Sequence, residues 1–158
     1  MTDVQPLRVR IRAPRGFAYQ CLSTFDRTSP IWLQRLEPDV LRRGGDGLLV
    51  RLRQRTMGRV VAGVASVRLF APDRIDLELL DGTLCALRER LVLETESART
   101  TVLVWSAELE LKLPFGSRLL ERVIAARLLR ADARATLDRY RVTIEAAALA
   151  TGLVEAAR

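Results

Sequence analysis

The last third of the chain constrains the fold most. Pro114 and Gly116 punctuate its entry, Ser117 offers an N-cap, and from there to Ala148 there is neither Pro nor Gly. Ala, Leu and Arg dominate this run, and all three are good helix formers. At about 1.5 Å of rise per residue it makes roughly 45 Å of helix. A helix that long needs a surface of similar length to pack on. The strand-like runs before it are expected to supply that surface as a sheet.

The apolar pattern changes along the helix. Its first turns carry a wide face of Leu119, Leu120, Val123, Ile124, Ala126 and Leu128. Further on the face splits. Leu129, Ala133, Leu137, Tyr140 and Ile144 form one stripe, and Ala131, Ala135 and Val142 another. Arg127, Arg130, Arg134, Asp138, Arg141 and Glu145 run between them. One reading is a solvated stripe, with Arg134–Asp138 and Arg141–Glu145 paired at i,i+4 for a few tenths of a kcal/mol each. The other points one or two arginines into a cavity to meet an anionic ligand group.

A chain of 158 residues is one domain with room for a real core. Residues 1–5 and 149–158 are expected as flexible ends. No apolar run approaches the roughly 20 residues of a membrane span. The start, Met1 to Arg10, lacks a signal-peptide core, so the expected location is the cytoplasm. Cys21 and Cys85 stand alone, in no metal-ligand spacing, and are expected as free thiols in a reducing compartment. No cofactor is expected. The net charge is +7, yet Lys112 is the sole lysine and the arginines are scattered along the chain. Nucleic acid is therefore not the expected partner, while weak contact with acidic membranes remains open. The state expected is a monomer or homodimer.

Taken in order, Leu7, Val9 and Ile11 alternate with Arg8, Arg10 and Arg12, which is a half-buried strand. Pro14 suits a helix start, and a short helix over Arg15 to Thr24 turns Phe17, Cys21 and Leu22 or Phe25 inward. A second short helix over Ser29 to Gln34 presents Ile31, Trp32 and Leu33, as a core plug or the lip of a pocket. Six strands follow. Val40 to Arg43 is brief, and Gly44 to Gly47 turns the chain. Val50 and Leu52 alternate with Arg51, Arg53 and Arg55. Met57-Gly58 makes a hairpin, after which Val61, Gly63, Ala65, Val67 and Leu69 share a face. Ile75, Leu77 and Leu79 point inward on the next strand, Asp76 and Glu78 outward. Asp81-Gly82 is a hairpin signal. Leu84 to Thr95 and Thr100 to Leu113 complete the set.

The outward charges fit one antiparallel meander. Asp76 and Glu78 would face Arg88 and Arg90, which in turn would face Glu108 and Glu110. With the first strand beside the last, Arg8, Arg10 and Arg12 would meet those glutamates. Arg51, Arg53 and Arg55 have no obvious acidic neighbours.

The order is strand, two short helices, six antiparallel strands and a long helix. That order predicts an α+β helix-grip fold: a curved seven-stranded sheet wrapped around the C-terminal helix. The chain resembles the START/Bet v 1-like (SRPBCC) superfamily, near its polyketide cyclase/dehydrase branch. The likeness rests on VRIRAPRGFAY, on Asp26 and Trp32 in TFDRTSPIWLQRLEP, on Ala71 to Ile75, on TTVLVWSAEL and on PFGSRLLERVI, and it covers residues 5 to 147. It implies a deep apolar cavity between sheet and helix and no universal catalytic motif.

The expected cavity residues are Trp32, Leu52, Val67, Leu77, Cys85, Leu87, Glu89, Leu91, Leu103, Trp105, Ile124, Arg127 and Arg130. Glu89 shares the inward face of Cys85, Leu87, Leu91 and Leu93. A carboxylate there is costly unless paired, and Arg127 or Arg130 is the expected partner. It is the weak candidate for a general acid, and otherwise a ligand hydrogen-bonder or a paired structural charge. Trp105 packs the core or stacks on ligand; Trp32 is a plug or a gate. Tyr19 and Tyr140 have hydroxyls that need partners if buried. With no histidine anywhere, His-based triads, most zinc sites and the commonest general base are excluded. The inner face is mostly Leu, Val and Ala, which favours binding a hydrophobic small molecule or lipid over catalysis. A cyclase or dehydratase using the same cavity is the alternative, and a protein or membrane-surface adaptor using the arginine faces is the third.

Overall fold

The structure, a computed structural model, describes residues 2–26, 29, 31, 39–56, 59–81, 85–111 and 118–154; at 54–56, 59–61, 85, 111 and 118–122 it describes the backbone alone. Seven strands and two helices follow one another: β1 (Thr2–Ile11), α1 (Arg15–Ser23), β2 (Asp39–Gly44), β3 (Gly47–Thr56), β4 (Arg59–Phe70), β5 (Arg74–Leu79), β6 (Cys85–Ser97), β7 (Thr100–Leu111) and α2 (Arg118–Ala150). The strands form one antiparallel sheet in the order β1-β7-β6-β5-β4-β3-β2. This is the expected α+β helix grip. The second short helix, over Ser29 to Gln34, falls largely outside the described residues. So do the Met57-Gly58 turn and the proposed helix entry at Pro114 to Ser117.

Strand alternation sets the faces. Register places Leu48 opposite Val67 and Val50 opposite Ala65. It continues through Val67 opposite Leu77, Leu77 opposite Glu89 and Glu89 opposite Ala107. Every one of these residues lies on the core side, since directly opposed residues of an antiparallel pair share a face. In the β2–β3 turn Gly45 takes a φ of 53°, a conformation that favours glycine.

The outer face carries the expected ladder, with a different register at its edge. Arg88 bonds Glu78 at 2.9 Å and Arg90 bonds Asp76 at 3.0 Å. Arg8 and Arg10, however, do not meet Glu108 and Glu110. β1 shifts register between Val4 and Leu7, so Arg8 lies opposite Val104 and Arg10 opposite Val102. Their guanidinium groups reach across β7 to Glu94 and Glu96 of β6. Arg51, expected to lack an acidic neighbour, lies 3.8 Å from Asp39. β1 also begins earlier than its alternation suggested. Thr2 to Val4, expected in a flexible end, pair with Leu109 to Ala107.

The core lies between this sheet, α1 and α2. Leu22 and Phe25 enter it from α1 and the turn after it, and Ala133, Leu137, Tyr140, Ile144 and Ala148 from α2. Each fully buried leucine or isoleucine contributes about 1.5–3 kcal/mol by burial. Two polar contacts fix the end of β1. Thr101 Oγ1, fully buried, donates to the Ala13 carbonyl at 2.8 Å. Glu145 Oε1 accepts the Arg12 backbone N–H at 2.9 Å. Glu145 was expected to pair with Arg141, but that arginine turns to Asp138 at 3.5 Å, and Arg134 also reaches Asp138.

Candidate functional site

The inner face of β5 and β6 is closed at one end and loosens toward the other. Near the contacts that fix β1 to α2, Ile75, Leu93 and Leu103 are fully buried. Further along the same strands, Leu77, Leu87 and Glu89 face inward by register but are only half-buried. α2 changes in step. Its second half is buried at Leu137, Tyr140 and Ile144, whereas Ala125, Ala126 and Leu129 are half-buried. Arg130 shares a helical face with Ala133 and Leu137 by its spacing, yet it is exposed. Both gradients run away from the end held by Glu145 and Thr101.

Glu89 stands on this loosened stretch. The Trp105 indole Nε1–H donates to Glu89 Oε1 at 3.0 Å. The two residues are diagonal neighbours, because Trp105 lies opposite Leu91 and Glu89 opposite Ala107. A half-buried carboxylate is thus oriented by a buried aromatic donor. Arg127 and Arg130 were the expected partners. Both are exposed on α2 and make no ion pair with it.

The other expected cavity residues divide three ways. Leu52, Val67, Leu91, Leu103 and Trp105 are buried on the inner face, and Leu77 and Leu87 are half-buried there. Ile124 is a correction. It is 48% exposed, because helical spacing sets it on the side of α2 opposite Leu137. Leu128, on the same wide apolar face of the first turns, is 46% exposed for the same reason. Trp32 lies outside the described residues, and for Cys85 the backbone alone is described.

A groove of about 550 Å³ opens on the same strands. The outward Arg68, Asp76, Glu78, Arg88, Arg90 and Glu108 line it, together with Leu77, Glu89 and Ala107. Its charges largely neutralise one another through the Arg88–Glu78 and Arg90–Asp76 bonds. Hydrogen bonding to Glu78 also raises the Arg88 pKa further above its ordinary value. An apolar ligand would gain little there.

The sequence reading missed two features. The Trp105–Glu89 bond was within reach, since the two positions fall on adjacent strands with the same facing. Tyr19 was noted as needing a partner if buried. It is buried, and its hydroxyl has no partner among the described residues. Burial first, then the charges of Asp46 and Asp73, push its phenol above the ordinary range.

No protein-family model matches the sequence, and no curated protein does. Solved structures do match in shape. TTHA0849 from Thermus thermophilus superposes with a TM-score of 0.78 at 20% identity, over 92% of this chain and 99% of that one. A START superfamily protein from Mycobacterium smegmatis gives 0.73 at 19%, over 92% and 96%. The fold is the START-type helix grip. The Zhui aromatase/cyclase from a Streptomyces species shares this helix grip with a TM-score of 0.72 at 18% identity, over 92% and 97%. Likeness at these identities concerns the helix-grip architecture alone. Among the described residues, no helix of this helix grip is long and apolar enough to cross a membrane.

Proposed function

We propose that this chain binds a hydrophobic small molecule or lipid between the inner sheet face and the first half of α2. It would act as a cytoplasmic, single-domain carrier, sequestering protein or sensor. One observation carries the reading: the inward apolar face at Leu77, Leu87 and Glu89 is half-covered, while the same strands are sealed at the other end. Apolar surface left open beside a placed polar group is the usual make-up of a ligand site. Leu91 and Trp105 form its wall, with Leu52, Val67 and Leu103 behind them. Trp32 is the gate in this reading. The net charge of +7 also admits contact with acidic membranes.

Native mass spectrometry of the purified protein tests the proposal. A co-purifying apolar species is expected, lost in Leu87→Arg, which sets a charge into the site. A ligand-free wild type that also fails to bind a fluorescent apolar probe overturns it.

A second reading, a cyclase or dehydratase in the same site, has one observation in its favour. Glu89 is a carboxylate held in place by Trp105, the kind of group that can move a proton on a bound substrate. The aromatase/cyclase neighbour is consistent with it. Glu89→Gln separates the readings: turnover of a polyketide-like substrate would be lost while its binding is kept.

A further inference from the structure

α2 is apolar on two opposite faces, and the core uses one. Ala133, Leu137, Tyr140, Ile144 and Ala148 are buried. On the far side Ile124, Leu128, Ala131, Ala135, Val142 and Leu149 are all exposed. At about 100° per residue these six fall in a narrow sector, and the stripe runs roughly 37 Å. Its large members are well presented, with Val142 at 61% and Leu149 at 48% exposure. A solvated helix needs no second apolar stripe, and a contiguous one marks an interaction surface.

The flanking charges indicate what it meets. Arg127, Arg134 and Arg141 recur every seventh residue along one edge of the stripe. Arg134 and Arg141 are within 4.0 Å and 3.5 Å of Asp138. Arg127 has no ion pair among the described residues. From Val123 to Ala131 the helix carries no acidic residue. A second copy is a poor occupant. Pairing this stripe with itself antiparallel, about a two-fold axis perpendicular to the helix, brings the arginine row against its own image, like charge on like. The surface that takes both apolar side chains and a row of arginines is an anionic lipid layer. There the apolar stripe enters the interfacial region, and the arginines extend to the phosphates.

We infer that the outward face of α2, centred on Ile124, Arg127 and Leu128, docks on anionic membrane surfaces. The inference does not depend on the ligand reading, since it uses the opposite side of the helix.

Vesicle co-sedimentation tests it, using phosphatidylcholine vesicles with and without about 30% phosphatidylglycerol, an anionic lipid. Wild type is expected to bind the anionic vesicles alone, and less as salt rises. Arg127→Ala should weaken binding roughly fivefold, the effect of one cation removed. The pair Ile124→Ser and Leu128→Ser should also weaken it. Leu41→Ser, which alters an exposed apolar residue on β2, should not. Thermal unfolding of each variant checks that the fold is kept. The inference is overturned by equal binding to neutral vesicles, by no binding, or by variants that bind like wild type. A dimer in light scattering that the Ile124/Leu128 pair dissolves would give the face to a second copy. Binding to an acidic polypeptide without binding to vesicles would give it to a protein partner.

Discussion

Trp105 and Glu89 are locked together diagonally across the β6–β7 pair, indole N–H to carboxylate at 3.0 Å. Trp105 is only 2% exposed, so its N–H depends on that oxygen. Glu89→Ala leaves a buried donor unpaired and should cost about 1–3 kcal/mol. Glu89→Gln keeps an acceptor and should cost less. Urea unfolding followed by tryptophan fluorescence measures both. A neutral Glu89→Ala would mean that the bond contributes nothing to stability.

The two faces of α2 should respond unequally to truncation. Leu137→Ala and Ile144→Ala remove fully buried side chains and should each cost about 2–5 kcal/mol. Leu128→Ala and Val142→Ala should stay within about 0.5 kcal/mol. Chemical denaturation of the four variants checks the contrast. Similar losses on both faces would contradict the packing described.

Gly63 should not tolerate a methyl group. A Cβ there would lie 2.8 Å from Leu79 Cδ1 and 2.9 Å from the Asp81 carbonyl oxygen. The leucine can rotate away; the carbonyl is main chain. Gly63→Ala should destabilise by about 1–3 kcal/mol, read as a lowered Tm. An unchanged Tm would show that this corner of β4 yields more easily than its geometry implies.

Tyr19 should weaken the fold at alkaline pH. Burial and the nearby Asp46 and Asp73 charges hold its phenol above the ordinary value, so the folded state keeps that proton more tightly than the unfolded chain. The sign follows from proton linkage. The contribution is fully present below about pH 10, the ordinary phenol value, and is lost as pH rises through the folded value. The Cys21 thiol, raised by burial, adds a fall that starts at lower pH. Tyr19→Phe removes an unpartnered hydroxyl. It should be neutral or stabilising by up to about 1 kcal/mol and should flatten the upper part of the alkaline limb. Unfolding free energies across that range, in a Cys21→Ala background, isolate the effect.

Periodicity made the strand faces readable and left the registers open. Alternation placed Val50, Val67, Leu77, Glu89 and Trp105 on one side, and they are there. It carried no information on how far β1 slides along β7. The irregularity between Val4 and Leu7 sends Arg8 and Arg10 past the expected glutamates to Glu94 and Glu96. α2 shows the same limit. Two apolar stripes of equal period compete for burial, and composition does not rank them. The Leu137–Ile144 stripe is buried as its spacing predicts, while Ile124 and Leu128 belong to a first-turn face too wide to have one direction, and they are exposed. The spacing pairs Glu145 with Arg141, because nothing local in the sequence points to its actual partner, the backbone N–H of Arg12 at the far end of the chain.

The pairing of β1 with β7 has a consequence for how the protein is made. Thr2 meets Leu109 and Ile11 meets Thr101, so β1 is made before every other strand of this sheet and pairs with the one made after all of them. Until β7 emerges, Leu7, Val9 and Ile11 present an apolar edge with no template, a state open to wrong partners. Closing so long a loop before any contact rewards it places the folding rate with the slow, non-local topologies, on the order of milliseconds to seconds. α2 follows β7 out and settles on β1. β1 is therefore held in place by β7 and α2, which follow every other element of the fold.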